Sequence, residues 1–502
     1  MAGSSNSKRR WCGQAPSESV LDNTSAGRGK VAAKNEDPVF MEMAADFIIS
    51  LGLPLTFFGD RCNADLLAYL NSDVKPISTK ATIAKCLEMY ERERAKLKHA
   101  LGSIPGRFCL TCDIWADPCT TEYLCLTVNY VDSNWKLQSK FLNLVPLPFP
   151  WDASILRSAV NNLLCKWGIE KNVFSITFDS GRCGDTVLDM LRDCLNEQDG
   201  ALLCNGDYFR VCCGAYFMDH MVQECFKLID SPIRKIGLGV QYVLYHEKNR
   251  LKFEEAAKFI FQANLYFINI LKTGMLLVDA TKDKDLEISN LARRMKSEFD
   301  VYWDACNEVF ALAVIFDPRY KLSFVKFCYG KLDKASAEDR YVGTRRRLDR
   351  LFKTYSDQVF ASQLNEMNDD ILKEFGKDCR EKEYDLRSSL NMYLNEPSIS
   401  CHAQMDVLSW WKENEHRFGQ ELSLMARDIL SIPITSFPKG SVFGMGYRVE
   451  DRLKGKWSSN HVEALIATRN WLYGYPVEED YPGGLMGREE RFWSTTCEEE
   501  SD

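Results

Sequence analysis

Five predicted strands and three predicted helices follow one another between residues 108 and 229, in an order that few folds accommodate. Runs rich in β-branched and aromatic residues predict the strands, and apolar residues at three- and four-residue spacing predict the helices. The predicted strands are 108–115, 123–130, 135–147, 174–179 and 208–213, and the predicted helices are 152–167, 184–196 and 215–229. The region therefore begins with three strands that can pair antiparallel and continues with alternating helices and strands.

This order, β-β-β-α-β-α-β-α, is that of an RNase H-like mixed sheet. In that topology the first and fourth strands lie side by side and parallel. Asp113 and Asp179 are each predicted to end one of these two strands, so we expect both carboxylates to face one cleft. A carboxylate pair suits Mg²⁺ or Mn²⁺, which prefer oxygen ligands. A single Asp at a strand end is more often a turn or cap residue, and the predicted adjacency of the two strands is what favours the metal-binding interpretation.

Helical periodicity and shifts in composition divide the rest of the 502-residue chain. In chain order we predict a disordered arm (1–37), a helical N-terminal segment (38–100), the first part of the RNase H-like core (101–250), a helical insertion segment (251–355), a charged linker (356–389), an α-rich C-terminal region that completes the core (390–475) and an acidic tail (476–502). The predicted fold class is α/β, with the RNase H-like sheet flanked by helices.

Charge and hydropathy restrict the function classes. Lys and Arg total 63 and Asp and Glu total 71, so the net charge of −8 gives the chain no bulk affinity for nucleic acid. The sequence contains no run of 18 apolar residues and begins with polar residues, which predicts neither a membrane span nor a signal peptide. We therefore expect most of the 19 cysteines to be reduced and packed as small hydrophobic residues, in a nuclear protein, with the cytoplasm as the alternative.

A short basic cluster is the candidate for nucleic-acid contact. It consists of Arg345, Arg346, Arg347 and Arg350 on a predicted helix. The functional interpretation is contact with phosphates. The alternative, which we favour, is a solvated helix face whose charge is balanced by neighbouring acidic residues.

The C-terminal region is rich in large apolar side chains, as a protein–protein interface would be. The candidate dimerisation residues are Trp410, Trp411, Leu422, Met425, Ile429, Leu465, Ile466, Trp471 and Leu472. The alternative is that all of them belong to the core of the chain itself.

Several segments together resemble the hAT (hobo–Activator) transposase superfamily, and in particular its plant branch of domesticated DAYSLEEPER/RICESLEEPER-like proteins. The segments that carry the resemblance to the catalytic blocks are CLTCDIWADPCTTEYLCLTVNYVDSNWKLQSKFLNL (109–144), WGIEKNVFSITFDSGRCGD (167–185) and VCCGAYFMDHMVQECF (211–226). Those that resemble the helical and dimerisation regions include the DPRYK motif within 295–327, MYLNEP (392–397), DVLSWWKENEHRFGQELSLMARDILSIPI (406–434) and VEALIATRNWL (462–472). The resemblance covers about residues 40 to 475 and implies an RNase H-like transposase core with a C-terminal dimerisation region.

The resemblance further implies a catalytic site of two Asp and one Glu. It assigns the Asp positions to Asp113 and Asp179, whereas the position that matches the Glu is Gly440, with Lys439 beside it. Two-metal phosphoryl transfer needs enough negative charge to hold both ions. We therefore expect any Mg²⁺ or Mn²⁺ site at Asp113 and Asp179 to be vestigial and strand cleavage to be absent or very slow. The candidate substitutes for the third ligand are Asp117, Asp132 and Asp185.

Other positions also depart from the family pattern. Ser180 stands where the family has Asn, and Tyr216 stands where a His follows Cys213. The long insertion that the family carries near residues 253–259 is missing, so the helical insertion segment is truncated. Residues 1–60 contain one cysteine and no histidine, which excludes a BED zinc finger there. No cofactor is expected.

The function that follows from the resemblance and its departures is a transposase-derived nuclear protein without catalytic activity. It is expected to form a homodimer and to bind DNA, chromatin or other proteins, without a membrane partner. The alternative is an active metal-dependent DNA transposase or nuclease with a displaced third carboxylate.

Overall fold

A computed structural model of the chain describes most of the sequence in eight stretches. These are residues 38–70, 77–116, 122–178, 184–197, 202–226, 263–366, 389–435 and 459–474. The candidate residues Asp179 and Gly440 lie outside the described residues, as do the predicted arm and tail and the neighbourhood of the missing insertion.

The described residues contain one mixed sheet of five strands. Its strands are β1 (Phe108–Ala116), β2 (Glu122–Val131), β3 (Leu137–Pro146), β4 (Val173–Phe178) and β5 (Arg210–Cys212). They lie in the order β3-β2-β1-β4-β5. β1 pairs antiparallel with β2, and β2 with β3, whereas β4 pairs parallel with both β1 and β5. The predicted RNase H-like order and the adjacency of the first and fourth strands are confirmed.

Thirteen α-helices surround this sheet in the described ranges. They are α1 (Pro38–Leu51), α2 (Arg61–Leu70), α3 (Thr79–Gly102), α4 (Ala153–Trp167), α5 (Gly184–Glu197), α6 (Gly214–Phe226), α7 (Ala263–Ala280), α8 (Leu286–Ile315), α9 (Lys321–Leu332), α10 (Ala337–Glu366), α11 (Ser389–Asn395), α12 (Val407–Leu430) and α13 (Ser459–Tyr473). None of these helices is long and apolar enough to cross a lipid bilayer.

Side-chain caps account for where several helices begin. The carboxylate of Asp152 accepts a hydrogen bond from the backbone N–H of Ile155 at 2.9 Å, as the sequence predicts for the start of α4. Asp285 and Asp406 cap α8 and α12 in the same way. Gly168 directly follows α4 and caps it, with a φ of +72°, a left-handed conformation that glycine adopts without strain.

Each face of the sheet has its own apolar core, because side chains alternate along a strand. Leu110 and Cys112 of β1 face α4 and α5 and belong to one core. Cys109 faces the other way and belongs to a second core, which is built mainly from α7 to α12. The helical insertion and the C-terminal region thus pack together on the side of the sheet opposite to α4 and α5.

The structure shows a helix in part of the predicted linker and corrects one predicted strand boundary. α10 continues to Glu366, so residues 356–366 of the predicted charged linker are helical. Tyr355 and Val359, one turn apart on that helix, are buried, and this packing extends the helix beyond the predicted boundary. The third strand begins at Leu137 rather than at residue 135, because Trp135 lies in the preceding turn with a left-handed φ of +61°.

The C-terminal helix α13 covers the outer edge of β3, the edge strand of the sheet. The backbone N–H of Phe141 donates to the Asn470 side-chain oxygen at 2.9 Å, and the Trp471 indole N–H donates to the Phe141 carbonyl at 2.7 Å. An uncovered edge strand presents unpaired backbone groups to other chains. Two side chains of α13 therefore satisfy the groups that a further strand would otherwise pair with.

A buried polar network around the Glu463 carboxylate anchors α13 to the rest of the chain. The Glu463 carboxylate accepts hydrogen bonds from the Tyr90 hydroxyl at 3.0 Å and from the Asn143 amide at 2.5 Å. The Asn143 oxygen in turn accepts from the Trp167 indole N–H at 2.7 Å. Burial raises the pKa of the Glu463 carboxyl, and the two donors oppose that rise. The network joins α3, α4 and β3 to the last described helix.

A second buried carboxylate, Asp428 of α12, joins three parts of the chain. It accepts a hydrogen bond from the Arg107 backbone N–H at 2.7 Å, just before β1, and one from the Tyr355 hydroxyl of α10 at 2.5 Å. Its carboxylate also excludes a side chain at Gly106, since a Cβ there would lie 2.5 Å from Asp428 Oδ1. Burial raises the pKa of Asp428 from 3.8 to about 6, against the opposing effects of Tyr355 and Arg107.

The raised pKa of Asp428 predicts a stability that depends on pH. The folded state binds the proton of the Asp428 carboxyl more tightly than the unfolded state does. The contribution of this protonation to the unfolding free energy is therefore complete below about pH 3.8 and is lost as the pH rises through about 6. The D428N variant has no such proton. We therefore expect the unfolding free energy of the wild type, minus that of D428N, to fall by about 3 kcal/mol between acidic and slightly alkaline pH.

Urea unfolding of both proteins, followed by circular dichroism across this pH range, measures that difference. The charged and titratable groups that face Asp428, namely Arg107, Arg427 and Tyr355, are present in both proteins. A difference that stays constant with pH would contradict the assignment.

Candidate functional site

Asp113 lies within β1, three residues before its end, and not at the strand terminus as predicted. The described pairing of β1 with β4 ends at Cys112 opposite Phe178, the last residue of β4. Asp113 is therefore the first residue of β1 beyond that pairing, and in sequence Asp179 directly follows Phe178. Asp113 is 7% exposed, and its cross-strand partner on β2 is Cys125.

The segment after α12 crosses the sheet face that carries Asp113. The Ser431 hydroxyl donates to the Cys109 thiol at 3.3 Å, and the Thr177 hydroxyl donates to the Pro433 carbonyl at 2.7 Å. Farther on, the Gly214 N–H donates to the Ile434 carbonyl at 2.8 Å. This path runs from β1 past β4 to the end of β5. Gly440 follows Thr435 by five residues, which span at most about 18 Å when fully extended.

The donors around Asp113 in the described residues do not fit a two-metal site. Asp113 is a single carboxylate, and its neighbour Cys125 is a thiol whose pKa is raised by burial and by the charge of Asp113. Protonated thiols are poor ligands for Mg²⁺ or Mn²⁺, which prefer several oxygens. No group of three or more His, Cys, Asp or Glu side chains is placed to bind a metal within the described ranges.

Two of the three substitute ligands have other roles in the structure. Asp132 holds the turn between β2 and β3, where it accepts from the N–H groups of Asn134 and Lys136 at 2.9 and 3.0 Å. Asp185 forms an ion pair with Arg210 of β5. Asp117 lies outside the described residues.

The cysteines of the catalytic blocks are mostly buried core residues. Cys109 and Cys112 point to opposite faces of β1 and belong to different cores, so the two thiols do not converge on one ion. Burial raises the pKa of Cys109 to about 12. Cys212 differs from these, because a hydrogen bond with the Cys306 thiol and the charge of Arg210 lower the pKa of its thiol to about 7.

The block in which Tyr216 replaces the family histidine keeps a histidine one turn later. The rings of Tyr216 and His220 on α6 are stacked with centroids 6.2 Å apart. His220 Nε2 lies 3.7 Å from a carboxylate oxygen of Glu298 on α8. His220 thus contacts the helical insertion.

Most of the basic cluster on α10 is paired within the chain. Arg345 forms an ion pair with Asp349 at 2.9 Å, and Arg347 and Arg350 pair with Glu308 and Asp207, respectively. Arg346 is exposed. Three of the four arginines thus hold α10 to other parts of the chain or to itself.

The DPRYK motif forms a buried anchor between the helical insertion and the C-terminal region. Asp317 is fully buried, and Arg319 pairs with it through two hydrogen bonds of 2.9 and 2.6 Å. Lys321 has a left-handed φ of +51° and donates to the carbonyl of Tyr393 at 2.6 Å and to that of Glu396 at 3.0 Å. The motif thus binds the MYLNEP segment.

Most of the candidate dimerisation residues are buried in the chain's own core. Those that are at most 6% exposed are Trp411, Leu422, Met425, Ile429, Leu465 and Ile466. Trp410 and Trp471 are half-buried, and Leu472 is 37% exposed. The six buried side chains cannot touch a second copy unless this core opens, so the alternative of an internal core applies to them. Of the nine, Leu472 has the largest exposed fraction.

Sequence reasoning missed Asp428 and the DPRYK anchor. Asp428 follows Met425 by three residues, on the apolar face of α12, and a carboxylate in such a position signals a buried polar partner. The DPRYK anchor is not evident from the sequence, because a pattern of charges does not reveal which of them pair.

Three family profiles match the chain in order. They are described as the ZBED1 RNase-like domain, over residues 111–208, the hAT-like transposase with RNase-H fold, over residues 264–355, and the hAT family C-terminal dimerisation region, over residues 389–472. The chain carries hAT transposase domains. The first match covers most of the sheet, the second runs from α7 into α10, and the third covers α11 to α13.

Curated relatives align over most of this chain. It is 26% identical over 472 residues to the zinc finger BED domain-containing protein DAYSLEEPER of Arabidopsis thaliana, covering 77% of this chain and 67% of the relative. It is 25% identical over 503 residues to RICESLEEPER 2 of Oryza sativa subsp. japonica, covering 79% and 69%. A putative AC transposase of Zea mays is 22% identical over 490 residues, covering 79% and 61%.

Proposed function

We propose that this hAT protein is a nuclear binding protein that does not cleave DNA and that acts as a homodimer on chromatin, DNA or other proteins. The proposal assigns the RNase H-like sheet the role of a scaffold rather than of an active site. It also assigns self-association to the C-terminal region that matches the dimerisation profile.

One combination of observations supports the loss of cleavage. The sheet order retains the strand pair that presents Asp113 beside the end of β4. The sequence position of the third acid carries Gly440, preceded by Lys439. A cationic side chain and a missing carboxylate both weaken the binding of a divalent ion, and clamping of the attacking and leaving oxygens needs two such ions.

The charge of this chain does not favour nucleic-acid binding, so we expect any binding to depend on the shape and side chains of a particular surface. The net charge is −8, and three of the four candidate arginines already have acidic partners. We therefore expect no high-affinity, sequence-specific DNA binding at physiological salt. Localisation in the nucleus follows the proposed role and the relatives, whose names describe BED zinc-finger proteins.

A plasmid-nicking assay tests the loss of cleavage. We expect purified full-length protein with Mg²⁺ or Mn²⁺ to convert supercoiled plasmid no faster than the D113A variant does. Both proteins are purified in the same way, so a contaminating nuclease acts equally on both. Nicking by the wild type that D113A abolishes would overturn the proposal and favour the alternative, an active nuclease with a displaced third carboxylate.

A further inference from the structure

Helix α1 is apolar on both sides. One side packs into the N-terminal core through Ala44, Ala45, Ile48 and Ile49. The other side exposes Val39 (65%), Met43 (65%), Phe47 (43%) and Leu51 (42%), which we call the α1 stripe. No other helix in the described ranges exposes four large apolar side chains. Such a continuous apolar row on a surface marks an interaction site more often than scattered single residues do.

The spacing of the α1 stripe suits packing against a copy of itself. Its members are four residues apart, so they form a single ridge along the helix. Ridges of this type interdigitate when two helices cross at about −50°, the commonest helix-packing class in globular proteins. The nearby Glu42 forms ion pairs with Lys85 at 2.8 Å and with Arg92 at 2.6 Å, so its charge is compensated within the chain.

The α1 stripe borders the last helix of the dimerisation region. The Arg469 guanidinium donates to the Ser50 carbonyl at 2.8 Å, and the Tyr473 hydroxyl bonds to the Asp46 carboxylate. These contacts bring the exposed end of α13, at Leu472 (37%) and Tyr473 (50%), beside α1.

The position of this border matters because the C-terminal region has little other exposed apolar surface. In its described residues, the exposed large apolar side chains are Met392, Leu472 and Tyr473. Two of these three lie at the contact with α1. A dimer that uses this end of the C-terminal region and buries apolar surface would therefore lie next to helix α1.

We propose that a second copy of this chain packs on the α1 stripe together with Leu472 and Tyr473. The contact is isologous, with the same surface used on both copies about a two-fold axis. The inference rests on the self-association in the proposed function and assigns it to helices from the two ends of the described chain, rather than to the buried residues of α12.

Light scattering of full-length variants tests the assignment. We expect the wild type at micromolar concentration to have twice the 57.6 kDa mass of one chain. The V39E/M43E variant places two charges in the contact and should weaken association by at least about 100-fold, which gives the mass of one chain. The matched control L276E/V301E adds the same charge at two positions that are each 70% exposed on α7 and α8, and it should remain dimeric.

The outcomes separate this inference from the proposed function. A dimeric wild type whose V39E/M43E variant is also dimeric would place the interface elsewhere and overturn the inference, while self-association would stand. A monomeric wild type would overturn both. Circular dichroism checks that V39E/M43E is folded, and L472E, on the other helix of the surface, gives the same test if it is not.

Discussion

Replacing Trp411 with Ala should lower the unfolding free energy by about 3–5 kcal/mol, the range for large aromatic residues removed from a core. Trp411 is fully buried, and its indole N–H donates to the Phe316 carbonyl at 2.8 Å. Its ring packs on Tyr393 and Phe418, with centroids 5.1 and 5.7 Å away. The substitution removes this packing, leaves a cavity and deprives a buried carbonyl of its donor.

The neighbouring Trp410 provides the matched control. It is only half-buried, so W410A removes the same side chain type at a smaller cost. Urea unfolding followed by circular dichroism measures both variants without relying on tryptophan fluorescence. If W411A and W410A lost equal stability, the described burial of Trp411 would be wrong.

The same variant distinguishes a core residue from an interface residue. If Trp411 lay in a dimer interface, W411A would weaken association more than it weakens folding. Because its side chain is enclosed by the chain's own helices, we expect its effect on unfolding to be present even at concentrations at which the protein is monomeric.

The R319A variant should lose about 3–5 kcal/mol, the cost of breaking a buried ion pair by removing one partner. Asp317 is fully buried, and Arg319 meets both of its carboxylate oxygens. Without Arg319, the charge on Asp317 loses its bidentate partner in a region of low dielectric. R319K should recover part of the loss, since lysine keeps the charge but lacks the planar fork.

R346A is the control for this prediction, because Arg346 is exposed on α10. Its substitution should change stability by no more than about 0.5 kcal/mol, as surface replacements usually do. Denaturant unfolding of R319A, R319K and R346A in parallel measures all three. A loss in R319A no greater than that in R346A would contradict a structural role for the DPRYK motif.

The sheet is predictable from sequence because its signals are local. Each strand is a short run of β-forming residues, and Asp152 marks the start of α4 by its own side chain. The order of these elements then restricts the topology, and the structure confirms it as β3-β2-β1-β4-β5. Strand ends were less predictable, because Trp135 is a strand-forming residue type that the structure places in a turn.

The candidate site was harder to predict, because burial and pairing depend on residues distant in sequence. Asp113 and Cys125 meet only when β1 and β2 pair, and Asp428 meets Arg107 across more than 300 positions. The large apolar residues of the C-terminal region looked like an interface because composition alone does not tell a core from a contact surface. The structure assigns Trp411 and its neighbours on α12 to the core.

The hydrogen bonds of α13 to β3 make the edge of the sheet depend on residues near the end of the described chain. Phe141 depends on Asn470 and Trp471, more than 320 residues later, to satisfy its backbone. A stop codon between the end of β3 and residue 470 would thus leave a product in which the Phe141 backbone groups have lost both of these hydrogen-bond partners.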